Sequence, residues 1–319
     1  MLSYIVRRLL WGLVIIWLVT LIVFFVIRLL PGDPLLIYLA QNQDINSMPR
    51  EQIDALYREY GLDKPILVQY ANWVFNLLRG DLGLSITYRQ NVGKLMLERL
   101  PVTLHVGMTG FIVSLVPGVL VGLIAAMRRA SWIDNVVTII SYTGIAIPVF
   151  WLAYILIYVF GLRLKWLPIA GYVSPFEDFW LSTKHLIMPV ICISLPGIAA
   201  TARQMRSSVL EIASQDYVRT AWSKGLAEKA VVCRHILKNS LIPIITLLGM
   251  RIGFIFGGSV IVENIFAIPG MGRLLVGSIF AQDYVVIQAN ALIMAVIIIL
   301  SNLLVDISYG WFDPRIRYD

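Results

Sequence analysis

The sequence is short of charge. Asp, Glu, Lys and Arg make up 14% of its 319 residues, against 59% apolar. A soluble domain of this length needs far more charge on its surface, so that class is excluded. Two cysteines, Cys192 and Cys233, are too few for a disulfide framework. The three histidines, His105, His185 and His235, stand in separate segments with no shared carboxylate neighbourhood. The patterns GxxxxGKS/T, HExxH, CxxC and GxSxG are missing. That removes a phosphate-loop ATPase, a zinc protease of that type and a serine hydrolase of the elbow type. No catalytic or metal site is expected, and an intramembrane enzyme has no cluster to work with.

What the sequence has instead is long apolar runs. Charge-free stretches over Leu9–Ile27, Thr103–Met127, Asn135–Leu162, His185–Ala202 and Tyr284–Val305 reach the roughly 18 residues that let a helix cross a bilayer core. A sixth, Asn239–Val262, is interrupted only by Arg251. The expected fold is therefore an all-α polytopic membrane protein with six transmembrane helices. With the N-terminus inside, segments 1–8, 128–134, 203–238 and 306–319 hold 13 Lys and Arg, while the short outside segments 163–184 and 263–283 hold 4. Basic residues concentrate on the cytoplasmic side, so both termini are predicted to be cytoplasmic. The net charge of +7 follows from this topology, and the bilayer rather than a nucleic acid is the partner it implies. Arg7 and Arg8 precede the first run as in a signal peptide, yet the run is too long and IRLLPGDP offers no small-residue cleavage site. An uncleaved first span is expected.

Three regions follow: 1–30 with the first span, an extracytoplasmic region over 31–102, and a five-helix core over 103–319 with a cytoplasmic loop at 203–238. In the second region, helices are predicted over Ser47–Arg58 and Pro65–Leu78, broken off by Gly80 and Gly83. Pro117–Gly118 and Pro148 should kink the second and third spans, and the fourth holds Pro189 and Pro196–Gly197. Gly249, Gly253, Gly257 and Gly258 line one face of the fifth, for internal packing, a partner interface or a moving gate. Arg28 ends the first span and can snorkel to water. Arg251 lies within the fifth and either lines a pathway or pairs structurally. After that span, ENIFAIPGMGRLLVGSIF reads as a hairpin whose short apolar helix begins near Arg273.

The stretch DYVRTAWSKGLAEKAVVCRHILKNSLIP, from Asp216, is the most basic part of the chain. Asp216 is expected to cap a short helix that Gly225 terminates, and a second helix starts near Glu228. Tyr217, Trp222 and Leu226 become apolar knobs among Arg219, Lys224 and their neighbours. Such an elbow either lies on anionic headgroups or docks into a protein groove.

The elbow resembles the EAA loop of ABC-importer membrane subunits, patterned E-A-A-x3-G with a Pro about 18 residues after the Gly. Gly225 and Pro243 keep that spacing and Ala221 keeps the second Ala, while Arg219 and Thr220 replace the Glu and the first Ala. The form YVRTAWSKGL…RHILKNSLIP is that of the dipeptide/oligopeptide/nickel permease subfamily. YIVRRLL, FFVIRLLPGDP, YGLDKPILVQY, GDLGLS, ERLPVTL, GGSVIVENIFAIPGMGRLL and DPRIR extend the resemblance over the whole chain. It implies the type I ABC importer transmembrane fold and residence in the cell (inner) membrane. It also implies a homologous second permease, two ATPase subunits that bind ATP and Mg, and an extracytoplasmic binding protein that delivers cargo. Peptides are the commonest cargo; nickel chelates, glutathione and sugars are variants. The coupling residues would be Asp216, Tyr217, Arg219, Thr220, Ala221, Trp222, Lys224, Gly225 and Leu226. Arg251, Gly253, Gly257 and Gly258 would line or gate the pathway. A secondary transporter or channel working without ATP is the competing reading; it needs carboxylates inside the spans, and Asp306 reaches only an inner boundary.

Overall fold

A computed structural model describes residues 2–29, 35, 49–59, 61–241, 243–244 and 259–312. Among them no strand forms, and a single isolated antiparallel bridge joins Leu84 to Asn91. Among the described residues four helices are long and apolar enough to cross a membrane, within Val6–Arg28, Val92–Met127, Phe179–Ala213 and Tyr284–Leu304. We number the helices α1 (Leu2–Arg28), α2 (Arg50–Glu59), α3 (Ile66–Leu78), α4 (Val92–Met127), α5 (Trp132–Ala146) and α6 (Val149–Leu156). Then come α7 (Phe179–Ala213), α8 (Asp216–Ser223), α9 (Glu228–Val231), α10 (Met271–Phe280) and α11 (Tyr284–Phe312). α6 widens into a π-helical stretch over Ile157–Arg163, and α9 into another over Val232–Leu237.

The third apolar run bends at Pro148 as expected, but far more sharply than a kink: its two helical pieces, Trp132–Ala146 and Val149–Arg163, meet at 100°. The residue before a proline is driven out of the helical region by the ring. Ile147 accordingly lies at φ −71°, ψ 122°, and Pro148 opens the next helix. Pro117, Pro189 and Pro196 do not interrupt their helices: each lies inside α4 or α7.

The chain divides into two compact units. The first comprises Thr103–Ile268 and Leu300–Asp319. Within it α4 lies very close to α7. A Cβ at Gly118 would stand 2.7 Å from Thr201 Cβ, and one at Gly122 would stand 2.5 Å from the Ala202 carbonyl oxygen. Only glycine allows that approach, which in lipid supplies the dispersion contact that hydrophobic exclusion cannot. This Gly118-xxx-Gly122 seam went unread in the sequence, where Gly118 was taken with Pro117 as a kink. α5 packs on α7 through Gly144 and Ala199. Thr103 donates to the buried Glu263 carboxylate at 2.7 Å, and the Gly171 N–H donates to the Phe266 carbonyl at 2.8 Å.

The second unit comprises Leu2–Val102 and Pro269–Ile299. Here α3 packs on α1 through rings: Phe24 meets Tyr70 edge-on at 5.2 Å and stacks on Trp73 at 5.8 Å. Arg28 does not simply snorkel; its guanidinium is half-buried, 4.6 Å from the centre of the Phe24 ring. α3 and α10 form where helices were expected, α10 starting at Met271, two residues earlier than Arg273. Val92, Leu95 and Met96 pack with Met271, Leu274, Val286 and Ala289 into one apolar cluster.

Asp283 organises this unit's turns. It accepts from Ser85 Oγ at 2.6 Å and from the Thr87 N–H at 3.0 Å, and its other oxygen takes the Val286 N–H at 3.3 Å. One buried carboxylate thus both caps α11 and holds the 85–87 turn. Asp283→Ala should cost about 2 kcal/mol, the combined loss of a cap and a buried acceptor. Asp283→Asn should cost less, because it still accepts. Thermal unfolding of the solubilised chain reads both.

Candidate coupling site

α8 is built as a short amphipathic helix. Val218 and Ala221, three residues apart, are buried, while Tyr217, Arg219, Thr220 and Trp222 face outward. The buried pair joins Met205 and Val209 of α7, Val231 and Ile236, Ala126 and Ile244 in one cluster. Ala221 is 5% exposed against this floor. The small residue is therefore set by space: a larger side chain has nowhere to go without lifting the helix.

Gly225 terminates the helix as its spacing predicts. It adopts φ +75°, and its N–H donates to the Trp222 carbonyl at 2.9 Å. A Cβ there would meet nothing within 4 Å, so the requirement for glycine is conformational alone. The second arm begins at Glu228, as expected. The Asn239 side-chain amide donates to Tyr217 Oη at 3.0 Å and to the His235 carbonyl at 2.8 Å, tying the second arm back to the first.

Asp216 plays a different part from the one expected. The N-cap position is Gln215, whose side chain makes no cap bond, and Asp216 already lies in the first helical turn. Its charge sits near the positive end of the helix, which favours it without a side-chain cap. Arg219 Nη1 lies 3.8 Å from Asp216 Oδ1, an exposed pair of little energetic weight. What remains outward is a surface of mixed character. Tyr217, Trp222 and Leu226 are 43%, 42% and 42% exposed, flanked by exposed Arg219 and Lys224.

Below the helix an ion pair binds two further elements. Arg206 of α7 donates from Nη2 to Asp134 Oδ2 at 2.8 Å and from Nε to Oδ1 at 2.5 Å. Asp134 Oδ2 also accepts the Ala130 N–H at 3.0 Å, and Ser131 caps α5. The bidentate pair locks the α4–α5 turn onto α7, one residue from Met205 in the floor of α8. Sequence reading missed it because Asp134 and Arg206 lie 72 residues apart and nothing in their spacing pairs them.

The elbow thus brings Asp216, Tyr217, Arg219, Thr220, Ala221, Trp222, Lys224, Gly225 and Leu226 together on one helix and the turn that ends it. Arg251, Gly253, Gly257 and Gly258, with Gly249, lie outside the described residues. The anchored helix offers aromatic and basic side chains outward, and the sequence that carries it matches a known family. Residues 118–318 match the binding-protein-dependent transport system inner membrane component family, and residues 1–107 match the N-terminal membrane component of the same systems. The chain belongs to this family.

Relatives agree across their full length. A putative peptide transport system permease protein of Brucella abortus is 38% identical, covering 100% of both chains. The di/tripeptide transport system permease protein DppB of Pseudomonas aeruginosa is 39% identical over 100% of this chain and 99% of its own. A probable peptide ABC transporter permease protein of Sinorhizobium fredii is 37% identical over 99% of each. The protein is accordingly a multi-pass inner-membrane permease subunit of an ABC importer.

Three substitutions test the architecture of the elbow. Ala221→Leu should destabilise by about 1–3 kcal/mol through overpacking. Gly225→Ala should cost about 1 kcal/mol, from backbone strain alone. Asp134→Ala should cost roughly 3 kcal/mol, the low end for removing one partner of a buried pair, since Arg206 is partly exposed. Each is read as a fall in thermal unfolding midpoint, with Trp222→Ala as a surface control that leaves it nearly unchanged.

Proposed function

We propose that this chain and a homologous second permease line the translocation pathway of a peptide importer, and that α8 with the Gly225 turn is where one of two ATPase subunits docks. The carrying observation is the split character of α8: Val218 and Ala221 root it in an apolar cluster, while Tyr217, Trp222 and Leu226 are exposed beside Arg219 and Lys224. Aromatic and basic side chains around an apolar centre suit a protein groove. The family membership favours that groove over a headgroup surface. The names of full-length relatives support di- or oligopeptides as cargo.

In this reading six spans place both termini in the cytoplasm, and 31–102 is extracytoplasmic, on the side where a binding protein delivers peptide. The partner ATPases bind ATP and Mg and hydrolyse the nucleotide; the permease catalyses nothing itself. Closure of the ATPases pushes on α8. Its floor belongs to α7, a continuous helix of 35 residues and so about 52 Å long, which carries the displacement across the bilayer. The Asp134–Arg206 pair passes the same displacement to α5 and the break at Pro148. Arg251, Gly253, Gly257 and Gly258 are proposed to line or gate the pathway, Arg251 facing the peptide carboxylate.

The test is affinity purification of the tagged chain from its native membrane, with mass spectrometry of what comes with it. A second permease and ATPase chains should copurify. Trp222→Ala should reduce the recovered ATPases at least several-fold while the second permease stays, and Gly225→Pro should lose them. A chain that purifies alone and moves peptide into liposomes without ATP would overturn the proposal.

A further inference from the structure

The second unit holds a half-open cavity of about 670 Å³, lined by none of the elbow residues. Its wall gathers three cations, Arg28, Arg58 and Lys64, with Asp81 as the acid among the described lining residues. That excess is local: residues 31–102 carry 7 Lys and Arg against 8 Asp and Glu, so the surrounding region is nearly neutral. Among the described residues none of the three cations has an ion-pair partner. Asp81 turns Oδ1 to the Gly83 N–H at 2.9 Å instead.

Arg28 is the unusual one. A half-buried guanidinium normally finds a carboxylate, because desolvating it alone is costly. Here the guanidinium carbon lies over the Phe24 and Tyr284 rings, 4.6 Å and 6.0 Å from their centres, which holds the group without neutralising it. Its Nε is buried with no hydrogen-bond partner. Gln288, 4% exposed and lining the same cavity, likewise has an unpartnered Nε2. Two unused donors, one on a planar cation, and two further cations on the rim form a set that accepts negative oxygen atoms.

We propose that this cavity is an oxyanion site, taking a phosphate or carboxylate group against Arg28 and Gln288, with Arg58 and Lys64 adding long-range attraction. Arg28 closes the apolar stretch Val6–Arg28, where α1 leaves hydrocarbon. The oxyanion therefore has two sources, a phospholipid headgroup or a small free anion, and both present the same chemistry to these donors. The site does not depend on how α8 couples.

The full-length chain, purified with its copurifying subunits in detergent, separates these sources. Native mass spectrometry with added phosphatidylglycerol reads a lipid adduct, and thermal shift with inorganic phosphate or acetate in lipid-free micelles reads a free anion. One of the two should be seen, weakened at least tenfold by Arg28→Gln and severalfold by Lys64→Gln. Lys64 is exposed and outside the packed rings, so its variant keeps the fold if Arg28→Gln does not. A phosphatidylglycerol adduct that requires these residues assigns a headgroup; stabilisation by phosphate or acetate without lipid assigns a free anion. No binding of either kind, or binding that Lys64→Gln and a folded Arg28→Gln leave unchanged, overturns the proposal.

Discussion

A backbone that enters hydrocarbon has to satisfy its own N–H and C=O groups, since no water is there to do so. The rest of this structure depends on that constraint. It makes the long apolar segments among the described residues helical and lets α4 and α7 run unbroken past Pro117, Pro189 and Pro196. Each proline removes one donor, a loss a long helix absorbs. At Pro148 the outcome differs because Ile147 is extended, and the chain turns by 100° rather than continuing.

Lipid also removes the usual driving force for association, since tails are as apolar as leucine. Contact must come from close approach. Gly118 and Gly122 supply it on α4, and Gly144 supplies it on α5, all against α7. α7 becomes the axis of its unit. Toward its C-terminal end the same helix provides Met205 and Val209 beneath α8 and Arg206 to Asp134. The glycine packing, the ion pair and the floor of α8 are therefore all carried by this one helix.

Much of the elbow's local structure was legible in the sequence, for local reasons. Gly225 announces a left-handed residue, Val218 and Ala221 recur at helical spacing, and Tyr217 and Trp222 fall on the other face. The role of Asp216 was misread because cap and first turn differ by a single residue, and backbone geometry at Gln215 decides between them. The Asp134–Arg206 pair and the Gly118–Gly122 seam were not legible. Each depends on which helices become neighbours, and a lone sequence carries no record of that. The cavity at Arg28 is similar: it read as a snorkelling end of a span until Phe24 and Tyr284 were seen to hold it.

By itself the sequence determined that this is a helical membrane protein, where its long apolar runs lie, and that one basic elbow ends a helix at Gly225. Those outcomes rest on composition, run length and short-range backbone preference, all of them local. Only the tertiary structure decided that α7 meets α4 at glycine distance and that Asp134 reaches Arg206. Those outcomes rest on contacts between segments tens of residues apart, whose energy exists only once the helices have packed.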